Sequence, residues 1–96
     1  MVKIIAIKEV KEGKVLEWKE EVAELVLESR KESGNISYEI YQDSDNENLI
    51  IFVEEWTNKD YITNVHCNTP HVKNIVPTLK DFYKKEISEN WTTILI

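Results

Sequence analysis

The chain is poor in the residues that punctuate or cross-link a fold. It holds one cysteine, two glycines and two prolines in 96 residues. The lone Cys67 excludes an intrachain disulfide and a cysteine-built zinc cage. That agrees with a reducing, cytoplasmic setting, which is the expected location. So little glycine and proline excludes collagen-like and Gly/Ser-linker chains. No apolar run approaches the ~18 residues of a membrane span. Met1-Val2-Lys3-Ile4-Ile5 is followed by charges from Lys8, so a signal peptide is not expected. Positive charge is also short, with 12 Lys+Arg against 18 Asp+Glu and a net charge of −6. The lysines from Lys3 to Lys31 are interleaved with glutamates, which leaves no basic face for a phosphate backbone. Neither nucleic acid nor membrane is an expected partner.

What is present is a hydrophobic share of 42%, too high for a disordered acidic tail. The length predicts one domain over residues 1–96. A chain this short buries only about 60–68% of its unfolded surface. It has no room for a separate cofactor domain. A ligand site must lie within the one core or at a contact with a second copy.

The periodicity predicts the order β-α-β-β-α(α)-β. Val2–Val10 reads as a strand, with Ile4, Ala6 and Val10 on one face and Ile5 and Ile7 on the other. Lys14–Ser33 reads as a helix whose inner stripe is Val15, Trp18, Val22, Leu25, Val26 and Ser29. Gly34 falls where a left-handed cap favours glycine. Ile36–Gln42 reads as a strand with Ile36, Tyr38 and Ile40 on one face. Polar residues 43–48 form a turn, and Leu49–Trp56 completes a hairpin. Thr57 is the expected cap of a helix running to about Asn68, with Ile62, Val65 and His66 inward. Thr69-Pro70 starts a further helical piece. Pro77 is expected to kink or break it. Lys84-Lys85-Glu86 reads as a surface link, and Asn90–Ile96 as the last strand.

This order predicts an α+β, ferredoxin-like fold, with a four-stranded antiparallel sheet and the helices on one face. The other face keeps apolar side chains, a patch of the size that marks an interaction surface. A homodimer through the sheet faces is therefore expected.

No phosphate loop, G-x-S-x-G elbow or H-E-x-x-H motif occurs. His66 and His71 are five apart and would not share a face of one continuous helix, so no metal site is expected. Glu54 and Trp56 share a strand face with Ile50 and Phe52. Glu54 either lines a cleft, with its pKa raised by desolvation, or ends the strand in solvent. Trp56 is either a stacking wall or core. His66 is either a base near neutral pH or a satisfied structural histidine. Tyr38 can present its hydroxyl in a cleft. Arg30 can clamp a carboxylate such as Glu32 or Glu54, or a ligand oxygen, or can simply oppose the helix dipole. The Ser29 hydroxyl is expected to bond back to its own helix.

Three segments carry a resemblance. Residues Ser29-Arg30-Lys31-Glu32-Ser33-Gly34-Asn35-Ile36-Ser37-Tyr38 resemble the Ser-Arg-x-Glu-x-Gly-Cys-x-x-Tyr segment of the antibiotic biosynthesis monooxygenase domain. Glu54-Glu55-Trp56 resembles its Glu-x-Trp. His66-Cys67-Asn68-Thr69-Pro70-His71-Val72 resembles its His-x-x-Ser-Pro-His-Phe. The resemblance implies a dimeric α+β barrel that oxidises a quinol or polycyclic phenol with O2 and needs no cofactor. It implies His66, Trp56 and Glu54 as the catalytic set. Arg30, Tyr38, Phe52 and His71 are the expected contacts to a small aromatic substrate. Asn35, Thr69 and Val72 depart mildly from the family pattern. The first strand lacks the asparagine of the haem-degrading branch, which disfavours that activity. Two alternatives stay open: a non-catalytic binding or structural dimer, and an isomerase of a phosphorylated signalling sugar. The latter needs an anion site, for which Arg30 is the inward cation that can be named.

Overall fold

The computed structural model describes residues 1–96. Four strands, β1 (Val2–Val10), β2 (Asn35–Gln42), β3 (Leu49–Trp56) and β4 (Tyr83–Thr92), form one antiparallel sheet in the order β2-β3-β1-β4. Helices α1 (Val15–Arg30), α2 (Lys59–Asn64) and α3 (Pro70–Leu79) complete the predicted ferredoxin-like α+β fold. Short 3-10 turns at His66–Asn68 and Lys80–Phe82 flank α3. No helix is long and apolar enough to cross a membrane.

The core lies between sheet and helices. Val2, Ile4, Ala6 and Val10 from β1 meet Ile50, Phe52 and Trp56 from β3, and Trp18, Val22 and Leu25 from α1. β3 alternates strictly, with Ile50, Phe52, Glu54 and Trp56 buried and their neighbours half-buried. On the far face, Ile5 pairs with Val53 and Ile7 with Ile51 across β1 and β3. All four are half-buried with no helix over them. The molecule is a slab only 17 Å thick, about one helix laid on one sheet.

Several boundaries differ from the sequence reading. α1 ends at Arg30, and the carbonyls of Glu28 and Ser29 accept from the amides of Lys31 and Glu32. The turn that follows frees Glu32 from the helix surface. Gly34 is not a left-handed cap; the one positive φ belongs to Gly13, at 74°. Gly34 is needed because the Tyr61 ring lies against its Cα, where any side chain would collide. Ile36 does not share the Tyr38 face. The register slips between Asn35 and Ser37 against β3, and this bulge leaves Ile36 49% exposed.

The cap of α2 is Asn58, whose Oδ1 accepts from the Tyr61 amide, and not Thr57. α2 stops at Asn64, which leaves Val65 exposed while Ile62 and His66 stay buried. Thr69 caps α3 as expected, with Pro70 in its first turn. Pro77 neither breaks nor ends it; α3 continues to Leu79. Lys84-Lys85-Glu86 is not a link but part of β4, where Lys84 and Glu86 pair with Glu9 and Lys8 of β1. β4 closes at Thr92, and Ile94, Leu95 and Ile96 extend beyond it, fully exposed.

Candidate functional site

A cleft of about 210 Å3 opens between the sheet and α2–α3. Ile4, Phe52, Leu25, Val72, Val76 and Leu79 give it apolar walls. Tyr38, Glu54 and His66 also line it, together with Glu89, Trp91 and Lys8. A larger groove of about 490 Å3 lies between α1 and β2, but its charged residues Lys19, Arg30 and Glu39 are all exposed. The buried ionisable groups sit in the smaller cleft.

Glu54 is brought in by the alternation of β3 and is only 8% exposed. Its Oε1 accepts from Trp56 Nε1 at 3.0 Å. Burial raises its pKa to about 7, aided by the nearby charge of Glu89. The Trp56 bond and Lys8 pull the other way. The strand-end alternative, a solvated Glu54, is therefore overturned. A carboxyl in this range exchanges protons at neutral pH. Tyr38 is also buried, and desolvation holds its hydroxyl well above the ordinary tyrosine range. Its ring meets Phe52 and Trp56 edge-on, with centroids 6.4 Å away in each case.

Trp56 is fully buried and is not among the residues lining the cleft. It stands behind Glu54, stacked on Tyr61 and packed against His66 at a centroid distance of 4.1 Å. The expectation that it forms the cleft wall is corrected: it holds the two ionisable groups in place. Phe52 does line the cleft, edge-on to Trp18 as well as Tyr38. Arg30 does not. Its Nε and Nη2 donate to the Tyr38 carbonyl at 3.0 and 2.7 Å, and Nη2 pairs with exposed Glu39. It clamps the backbone of β2 from outside, and clamps neither Glu32 nor Glu54.

The histidines correct the sequence reading most. His66 Nδ1 lies 2.6 Å and His71 Nε2 2.8 Å from the same oxygen, Glu32 Oε2. The 3-10 turn between α2 and α3 breaks helical periodicity, so a five-residue spacing converges on one point. Tyr61 donates to the other Glu32 oxygen at 3.3 Å. Burial lowers the His66 pKa despite the Glu32 carboxylate. Glu32, His66 and His71 are also the one trio composed to ligate a metal. Donors around a tetrahedral ion at ~2.1 Å stand roughly 3.4 Å apart. The two histidine–Glu32 spacings are those of hydrogen bonds.

Sequence reasoning missed Glu32, Lys8 and Glu89. Glu32 lies in the Ser29–Tyr38 segment, where the sequence offers it only as a partner for Arg30. Lys8 shares the inward face of β1 with Ile4 and Ala6, yet reads as the end of an apolar run. It pairs with Glu86 at 2.6 Å and lies over the Tyr83 ring. Glu89 was hidden by the misplacement of β4. Glu89-Asn90-Trp91 repeats Glu54-Glu55-Trp56 on the other side of β1, and Trp91 Nε1 donates to Glu89 Oε2, also at 3.0 Å.

Comparison with known proteins places these features in context. The family profile described as antibiotic biosynthesis monooxygenase matches residues 1–78. A conserved protein of Methanosarcina mazei Go1, of known structure, is 31% identical over 95% of this chain and 89% of its own, with a TM-score of 0.88. A crystal structure of an antibiotic biosynthesis monooxygenase is 23% identical over the whole of both chains, with a TM-score of 0.89. A Nitrosomonas europaea protein provisionally given the same description is 22% identical over both whole chains, with a TM-score of 0.91. These last two show likeness of fold. No curated protein matches the chain.

Proposed function

Because the chain belongs to the antibiotic biosynthesis monooxygenase family, we propose that its cleft oxidises a quinol or polycyclic phenol with O2, without a cofactor. The observation that carries the reading is one apolar cleft holding two buried proton acceptors, Glu54 and His66. An electron-rich phenol becomes a reductant of O2 once it loses its proton. The protein then has to bind the ring, exclude water and take the proton. Phe52 and the aliphatic walls suit the ring. One oxygen atom joins a ring carbon; the other leaves as water with the two hydrogens the substrate gives up.

The alternative of a phosphorylated sugar loses its support. It relied on Arg30, which lies outside the cleft. Lys8, the cation that does line it, is already paired with Glu86, and Glu54 and Glu89 share the space. The same reading has two chains pairing through the far sheet face, where Ile5, Ile7, Ile51 and Val53 lie uncovered by any helix.

The test is O2 consumption with a reduced naphthoquinone such as menadiol, measured against its autoxidation. Protein-dependent uptake that falls by 10²-fold or more in Glu54→Gln or His66→Ala supports the proposal. No rate above autoxidation from pH 6 to 9 refutes it. Saturable tryptophan quenching without turnover would leave a binding module.

A further inference from the structure

Two histidines on one carboxylate oxygen leave little freedom in where their protons sit. Glu32 Oε2 accepts and does not donate when ionised, so each ring nitrogen facing it must carry hydrogen. Those nitrogens are Nδ1 of His66 and Nε2 of His71. A neutral imidazole has one N–H and one bare nitrogen. The bare atoms are therefore Nε2 of His66 and Nδ1 of His71.

The two bare nitrogens have different surroundings. His66 lines the cleft and His71 does not. The buried side-chain polar atoms left without a partner are Ser29 Oγ and Asn48 Oδ1. Nε2 of His66 is thus not sealed in the core, and the ring that carries it lines the cleft. The ring cannot readily turn over, because Trp56 packs on it at 4.1 Å. Glu32 is held as firmly. Tyr61 takes its second oxygen, and the Tyr61 ring is itself pinned between Trp56 and Gly34.

We propose that Glu32 is the positioning residue of this site. It fixes His66 as the Nδ1–H tautomer and so aims a bare Nε2 into the cleft as the atom that takes the substrate proton. His71 is the second clamp on the same carboxylate and touches no substrate. The inference rests on the cleft being a site of phenol deprotonation, but its first test does not.

That test is nitrogen-15 NMR of the imidazoles in the wild-type protein, without substrate. The expected pattern is protonated Nδ1 with bare Nε2 for His66, and the opposite for His71. Glu32→Ala should release His66 into a mixture of tautomers. In turnover, Glu32→Ala should lower kcat by 10-fold or more with KM little changed. Glu32→Gln, whose amide oxygen still accepts, should retain more of it. An Nε2–H tautomer at His66 in the wild type, or a tautomer unmoved by Glu32→Ala, overturns the proposal. If the wild-type pattern appears and no oxidation is found, the positioning holds and the assigned reaction falls. Should Glu32→Ala fail to fold, the wild-type spectrum and Glu32→Gln still decide.

Discussion

Trp56 donates its indole N–H to the Glu54 carboxylate, two residues earlier on the same strand, at 3.0 Å. Burial and this bond act on Glu54 in opposite directions, and burial prevails. Phenylalanine keeps the ring packing and drops the donor. Trp56→Phe should therefore move the Glu54 pKa above its value of about 7. Carboxyl-selective infrared or carbon-13 NMR titration reads this directly; an unchanged or lower value would contradict it.

The same burial makes stability depend on pH. Glu54 titrates at about 7 in the folded chain, against a reference value of 4.5. Between those values the folded state holds a proton that the unfolded state has released, so stability falls as pH rises. The contribution is complete below the lower value and lost by the upper one, about 3 kcal/mol across the window. Denaturant unfolding at a series of pH values should show this decline, and Glu54→Gln should flatten it.

Ser29 is fully buried and its hydroxyl has no partner. The expectation that it bonds back to its helix is not met. An unpaired buried hydroxyl costs ~1–3 kcal/mol. Ser29→Ala should leave stability unchanged or raise it by about 1 kcal/mol. A clear loss in chemical denaturation would show that the hydroxyl matters.

Gly34 has no room for a methyl group beneath the Tyr61 ring. Gly34→Ala should cost roughly 1–3 kcal/mol, the usual penalty of overpacking. It should also push Tyr61 off Glu32, so the histidine NMR signals should shift together with the melting temperature. A neutral outcome in both would mean that the turn adapts.

Ile51 and Ile7 face each other on the uncovered side of the sheet. Replacing Ile51 with glutamate should leave the fold intact by circular dichroism and halve the mass seen by light scattering. A wild-type mass of one chain would remove the dimer from the proposal.

What was legible in the sequence follows from where periodicity is strong. β3 alternates cleanly because one face packs on helices, and its inward set was readable residue by residue. β4 was not readable, since nearly all of it is exposed. Lys84-Lys85-Glu86 has no apolar period, and only pairing with β1 makes it a strand. The site followed the same rule. Glu54 could be placed on the right face, but its burial depends on what covers the strand end. The meeting of His66 and His71 was invisible, because spacing arguments assume a continuous helix and a 3-10 turn intervenes. Arg30 was misjudged because it stands on the flank of α1, one step round from buried Ser29, and reaches the Tyr38 carbonyl and Glu39. Glu32 turns inward because the helix ends before it.

The central place of β1 has a kinetic consequence. Its neighbour on one side is β4, and Thr92 Oγ1 donates to the Lys3 carbonyl across 89 residues of sequence. The floor of the cleft cannot close until segments this far apart have met. Loops of that length are costly to close before any contact rewards them. The chain should therefore fold slowly for its size, and shortening that loop by circular permutation should speed it.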